Sequence, residues 1–217
     1  MGAGALPVDQ HRRRPPIPVV PVDERARAAA LARGVTAAEA WLAAVTGRPD
    51  GEARVRVIDS AEAEVLRGAL AARRDTPGMS VGEVALAVDA GREMAARAAA
   101  DGIALLVARA PARRDDTAAR ALAASLTGAT EPVANGPLGA LRRLGDATTA
   151  FLCGVALGAG EHGLGCACHG LAALAGAAVA VGIEADVAPR LIAARAPADA
   201  AEAALAQRLG LLVADMS

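Results

Sequence analysis

Apolar positions along the chain follow two rhythms. "ARVRVIDS", from Ala53, alternates in its first half and ends apolar, which predicts a half-buried strand. "IALLVARA", from Ile103, is a nearly continuous apolar run and predicts a buried strand. "LGCAC" from Leu164 and "PRLIAARA" from Pro189 are shorter runs of the same kind. "IPVVPV" from Ile17 reads as a short first strand, confined to a sheet edge by Pro18 and Pro21.

The stretches between these runs are alanine-rich and helical. Asp23 and Gly34 bracket one helix, and a second starts near Thr36, carries Trp41 and stops at the Pro49-Asp50-Gly51 turn. "AEAEVLRGALAARR" from Ala61 predicts another. Ser80 with Glu83 forms a capping box ahead of a helix over 81–100, closed by Asp101-Gly102. Further helices are predicted over 117–126, 138–144, 147–159 and 171–181, with a last one in "ADAAEAALAQRLG" from Ala198. Strands separated by helices define an α/β fold: a mainly parallel sheet flanked by helices, Rossmann-like and three-layered. Ligands of such sheets bind beyond the carboxyl ends of the strands, which places Asp59 and residues 110–117, 168–170 and 195–199 on one rim.

Composition narrows the function classes. Apolar residues make up 54% of the 217 and aromatics only 1%, so the core is built from Ala, Val and Leu. The net charge is −1, lysine is absent, and stacking aromatics are almost lacking, which argues against nucleic-acid binding. Three cysteines and no secretory signal fit a reducing cytoplasm. The longest apolar run, 164–183, is broken by His169 and glycines and predicts a buried strand and helix rather than a membrane span. Residues 1–16, rich in Arg, Pro and Gly, read as a disordered tail, and residues 17–217 as a single α/β domain. Two helices apolar almost all round, over 147–159 and 171–181, suggest a homodimer or a heterodimer.

Candidate chemistry gathers at the predicted rim. The turn after "IALLVARA" reads Ala-Pro-Ala-Arg-Arg-Asp-Asp. Asp115 is placed to cap the next helix, Asp115 and Asp116 complement its dipole, and Arg113 and Arg114 can bind an anion through charge-assisted hydrogen bonds. Asp199 and Glu202 form an acidic cluster at a helix start. In "CACH", strand alternation sends Cys166 and Cys168 to one face and His169 to the other; without a fourth ligand the thiols read as small buried hydrophobes, and no metal site is expected. Met79, Met94 and Trp41 read as packing residues.

From about Glu52 onward the chain resembles the nicotinate-nucleotide–dimethylbenzimidazole phosphoribosyltransferase family, as a shortened and divergent member. The resemblance rests on the order and spacing of "RVRVIDS", "TPGMSVGEVALAVDAGREMAARAAADGIALL", "TAARALAASLTG", "GPLGALRRLGDATTAFLCGVALGAGEHGLGCACHGLAALAGAAVA" and "LIAARAPADAAEAALAQRLGL". It implies transfer of phosphoribose from nicotinate mononucleotide to dimethylbenzimidazole in cobalamin lower-ligand synthesis, without a cofactor. The family's phosphate loop, Gly-Glu-Met-Gly-Ile-Gly-Asn-Thr-Thr, falls on Arg109 to Thr117, where only Thr117 is kept. Its Gly-Gly turn falls on Gly145-Asp146, its Asp-Gly-Phe corner on Ala167-Cys168-His169, and its late catalytic Glu on Asp199. By this resemblance Asp199 is the general base, and Arg113, Arg114, Asp115, Asp116, Thr117, Gly145 and His169 are the substrate- and phosphate-binding set. A second expectation stands beside it: a catalytically degenerate relative that serves as a binding or partner subunit, paired with itself or with a family member.

Overall fold

The computed structural model describes residues 17–48, 53–111, 116–131 and 133–214. Its elements follow in chain order: α1 (Glu24–Ala32), α2 (Ala37–Thr46), β1 (Val55–Asp59), α3 (Glu64–Arg67), α4 (Val81–Ala100), β2 (Leu105–Arg109), α5 (Thr117–Thr127), α6 (Gly136–Leu144), α7 (Ala147–Glu161), β3 (Gly165–His169), α8 (Leu171–Ile183), β4 (Leu191–Ala193) and α9 (Ala200–Leu209). The four strands form one parallel sheet in the order β1-β2-β3-β4.

That order has a consequence. Each strand steps the same way across the sheet, and right-handed crossovers then put every connecting helix on one face. The main core lies there, built from Leu106, Cys166 and Cys168 of the sheet with residues of α3 to α9. α4 and α7 pack without side chains between them at Gly91 and Gly154: a Cβ on Gly91 would strike the Phe151 carbonyl, and one on Gly154 the Val88 carbonyl. α7 and α8, apolar all round, are the central helices of this layer, buried over nearly their whole length. Their composition is accounted for within this chain, so it requires no partner.

The opposite face has to be covered by something other than a crossover. The α1–α2 hairpin does this over β2 to β4, where Trp41 and Val45 meet Leu105, Ala167 and Ile192, joined by Leu212 and Ala214 of the segment after α9. Gly165 makes the contact: a Cβ there would lie 2.9 Å from the indole and 3.1 Å from Val45. Over β1 the face stays open, with Val55 48% and Val57 49% exposed.

Helix boundaries follow their caps. Thr36 with Glu39 and Ser80 with Glu83 form reciprocal capping boxes, and Asp23 and Gly34 bracket α1 as their residue types require. Two expectations are corrected. Residues 17–22 are an extended arm, not a strand; Val20 donates to the Gly160 carbonyl and the arm joins no sheet. The predicted helix over 61–74 is broken into 3₁₀ turns (Ser60–Glu62 and Ala71–Arg73) around the one-turn α3, interrupted at Gly68. The expected tail, residues 1–16, lies outside the described residues. Among the described residues no helix is long and apolar enough to cross a membrane.

Candidate active-site rim

The carboxyl ends of the strands set three polar residues side by side. In register, Asp59 of β1 pairs with Arg109 of β2, and Arg109 with His169 of β3. The sequence continues past each strand into a turn, so these side chains stand at the edge of the core.

Three carboxylates share one bonding pattern. Asp59 Oδ2 accepts from Arg109 Nε at 3.0 Å, while Oδ1 accepts from the Ala61 amide at 2.9 Å. Asp199 Oδ2 accepts from Arg120 Nη2 at 2.7 Å, while Oδ1 accepts from the Ala201 and Glu202 amides, both at 3.0 Å. Glu202 Oε1 accepts from Arg195 Nη2 at 3.1 Å, while Oε2 accepts from the Ala198 amide at 2.8 Å. In each, one oxygen holds a guanidinium and the other holds backbone N–H. The Glu202 side chain is only 7% exposed, so its pairing is what makes its burial tolerable.

The electrostatic result is clearest at Asp199. As the N-cap of α9 it accepts the Glu202 amide, and Arg120 adds a charge-assisted bond, so its carboxyl is held below the usual range; the same contact raises the Arg120 guanidinium. A group held anionic by three donors has little drive to take a proton at neutral pH.

The remaining predicted residues divide as follows. Arg113, Arg114 and Asp115 lie outside the described residues. Asp116, not Asp115, holds the N-cap position of α5, and its side chain makes no capping bond to that helix. Thr117 opens α5. Gly145 ends α6, and its carbonyl accepts from Gly78. The next residue, Asp146, caps α7 through Thr149. His169 is exposed at the end of β3, next to Gly170, which opens α8 without any side-chain cap. Cys166 and Cys168 lie on the main-core face, buried among apolar residues. Burial pushes the Cys153 thiol up to about 12; at Cys168 the hydrogen bond with Cys166, together with burial, raises the thiol well above its ordinary value.

Sequence reasoning missed the arginine partners. Arg120 and Asp199 are 79 positions apart, and no local pattern links them. The Asp199–Glu202 spacing did carry a signal, that of a capping box, although here Glu202 reaches back to Ala198 instead of to the cap residue itself.

A parallel sheet with charged groups gathered beyond its carboxyl ends defines a three-layer α/β protein of the kind that binds ligands at that edge. By sequence, no protein family and no curated protein matches the chain. By structure, it is similar to the nicotinate-nucleotide–dimethylbenzimidazole phosphoribosyltransferase from Thermus thermophilus, with TM-score 0.67 and 23% identity over 89% of this chain and 88% of that one. It is also similar to CobT from Thermus thermophilus, with TM-score 0.65 and 21% identity over 88% of this chain and 89% of that one. At these identities the likeness shows a shared fold. It takes in more of the chain than the segment from Glu52 onward, so residues ahead of β1 belong to the common architecture.

Proposed function

We propose that this chain is a catalytically degenerate relative of the nicotinate-nucleotide–dimethylbenzimidazole phosphoribosyltransferases, acting as a non-enzymatic binding or partner subunit, as a homodimer or with a family member. One observation carries the reading: the carboxylate aligned with the family's base, Asp199, is committed to capping α9 and to Arg120. Transfer to a benzimidazole nitrogen needs a base that accepts a proton as the nitrogen attacks the ribose carbon, with a pKa near the working pH. Asp199 is shifted the other way. Asp59 and Glu202, the neighbouring rim carboxylates, are each held by an arginine and a backbone amide as well. The shared fold supports kinship; the spent carboxylates support loss of transfer. The competing reading, an active transferase, requires a base other than these three carboxylates.

The test is release of nicotinate from nicotinate mononucleotide in the presence of dimethylbenzimidazole, followed by chromatography. The expected result is no release above the protein-free rate, unchanged in Asp199→Ala. Turnover that Asp199→Ala abolishes would overturn the proposal and restore the transferase.

A further inference from the structure

The α1–α2 hairpin is attached to the body in an unusual way. Its single aromatic, Trp41, rests on Gly165 and donates from Nε1 to the Pro189 carbonyl at 2.9 Å. An open cleft of about 490 Å³, lined by Leu42, Leu105, Ile192 and Val213, reaches the indole, as does one of about 150 Å³ lined by Val22 and Leu191. Both clefts border the hairpin's main contact with the sheet. The next residue after Pro189 is Arg190, 2% exposed. Its guanidinium donates to the carbonyls of Val20 (2.6 Å), Pro21 (2.7 Å) and Val45 (3.4 Å), so it ties the N-terminal arm and the end of α2 to the turn before β4. Among the described residues no carboxylate forms an ion pair with it. Without the guanidinium those three carbonyls would lose their donor in the closed state, whereas in the open state water would replace it.

We propose that the α1–α2 hairpin is a strap, pinned by Arg190, that leaves the sheet as one unit while the crossover layer stays folded. Opening hydrates Arg190 and merges Leu105, Ala167 and Ile192 with the already exposed Val55 and Val57 into one apolar sheet face. α1 does not resist this, because its buried side is filled by Ala30 against Ala40 and Ala43 of α2 and moves with it.

Native-state hydrogen exchange of the full chain across low urea concentrations tests the proposal. In the wild type, amides of α1 and α2 should share one opening with a shallower urea dependence than amides of α7 and α8. Val179→Ala, in the core of α8, weakens the crossover layer only, so it should speed exchange in α7 and α8 and leave the hairpin opening unchanged. Arg190→Met removes bonds present only in the closed state, so it should speed hairpin exchange roughly tenfold or more. Hairpin amides that follow the α7 and α8 urea dependence, or that speed up equally with Val179→Ala, would overturn the strap. Hairpin exchange unmoved by Arg190→Met would overturn its pin.

Discussion

At the scale of the residue, the rim shows how a charged site can be consumed by its own scaffold. Asp199 caps α9 and pairs with Arg120, and both contacts depress its carboxyl. A depressed carboxyl contributes stability that is fully present above its unfolded value, near 3.9, and is lost as pH falls through the folded value below that. Asp199→Asn keeps a competent cap and removes the charge. Urea midpoints should therefore show the wild type slightly more stable at neutral pH, with the gap closing as pH drops below about 4. Asp199→Ala removes the cap as well and should cost about 1 kcal/mol at neutral pH. The cysteines obey the opposite logic. Burial raises the Cys153 thiol to about 12 and keeps Cys168 protonated beside Cys166, so native protein should react with a thiol probe only as fast as it unfolds. Rapid labelling of any of the three at neutral pH would contradict their placement in the core.

At the scale of the element, close helix contact depends on glycine. The carbonyl of Val88 occupies the space a Gly154 side chain would need, so Gly154→Ala should lose about 3 kcal/mol, the upper part of the range for overpacking. Gly82→Ala, in the first turn of α4 with nothing within 4 Å, should gain about 0.4–1 kcal/mol. Chemical denaturation of the two variants separates contact from propensity, because both replace a helical glycine with alanine. These elements also show which parts of the fold the sequence reveals. Caps at Asp23, Thr36, Ser80 and Asp199 are local chemistry, and they mark true helix starts. The 61–74 stretch has helical composition, but Gly68 and tertiary contacts divide it, so propensity alone misreads it. The arm at 17–22 has a strand's alternation yet is positioned by Arg190, 170 residues from Val20. At the rim, the acidic residues were legible and their arginine partners were not, because Arg109–Asp59, Arg120–Asp199 and Arg195–Glu202 are set by how strands and helices come together.

At the scale of the whole molecule, the strand order governs the layout. A sheet that advances in one direction collects its crossovers on one face and leaves the other to the α1–α2 hairpin, with β1 uncovered. Parallel sheets are usually buried on both faces, so this half-open arrangement is where association with a second chain is to be sought. The core of small aliphatic residues suits the close helix packing of α4, α7 and α8, and three of the ion pairs, Arg109–Asp59, Arg120–Asp199 and Arg195–Glu202, gather at the carboxyl ends of the strands. Whether that charged rim is structural or catalytic depends on the protonation of Asp199 in the intact protein. The most direct measurement is the titration of its side-chain carboxyl carbon by NMR, assigned by comparison with Asp199→Asn. With the carboxylate held by Arg120 and the α9 amides, the midpoint should lie below 3.8 and rise when Arg120 is replaced by Met. A midpoint near neutrality, indifferent to Arg120, would contradict that arrangement and return Asp199 to the role of a base.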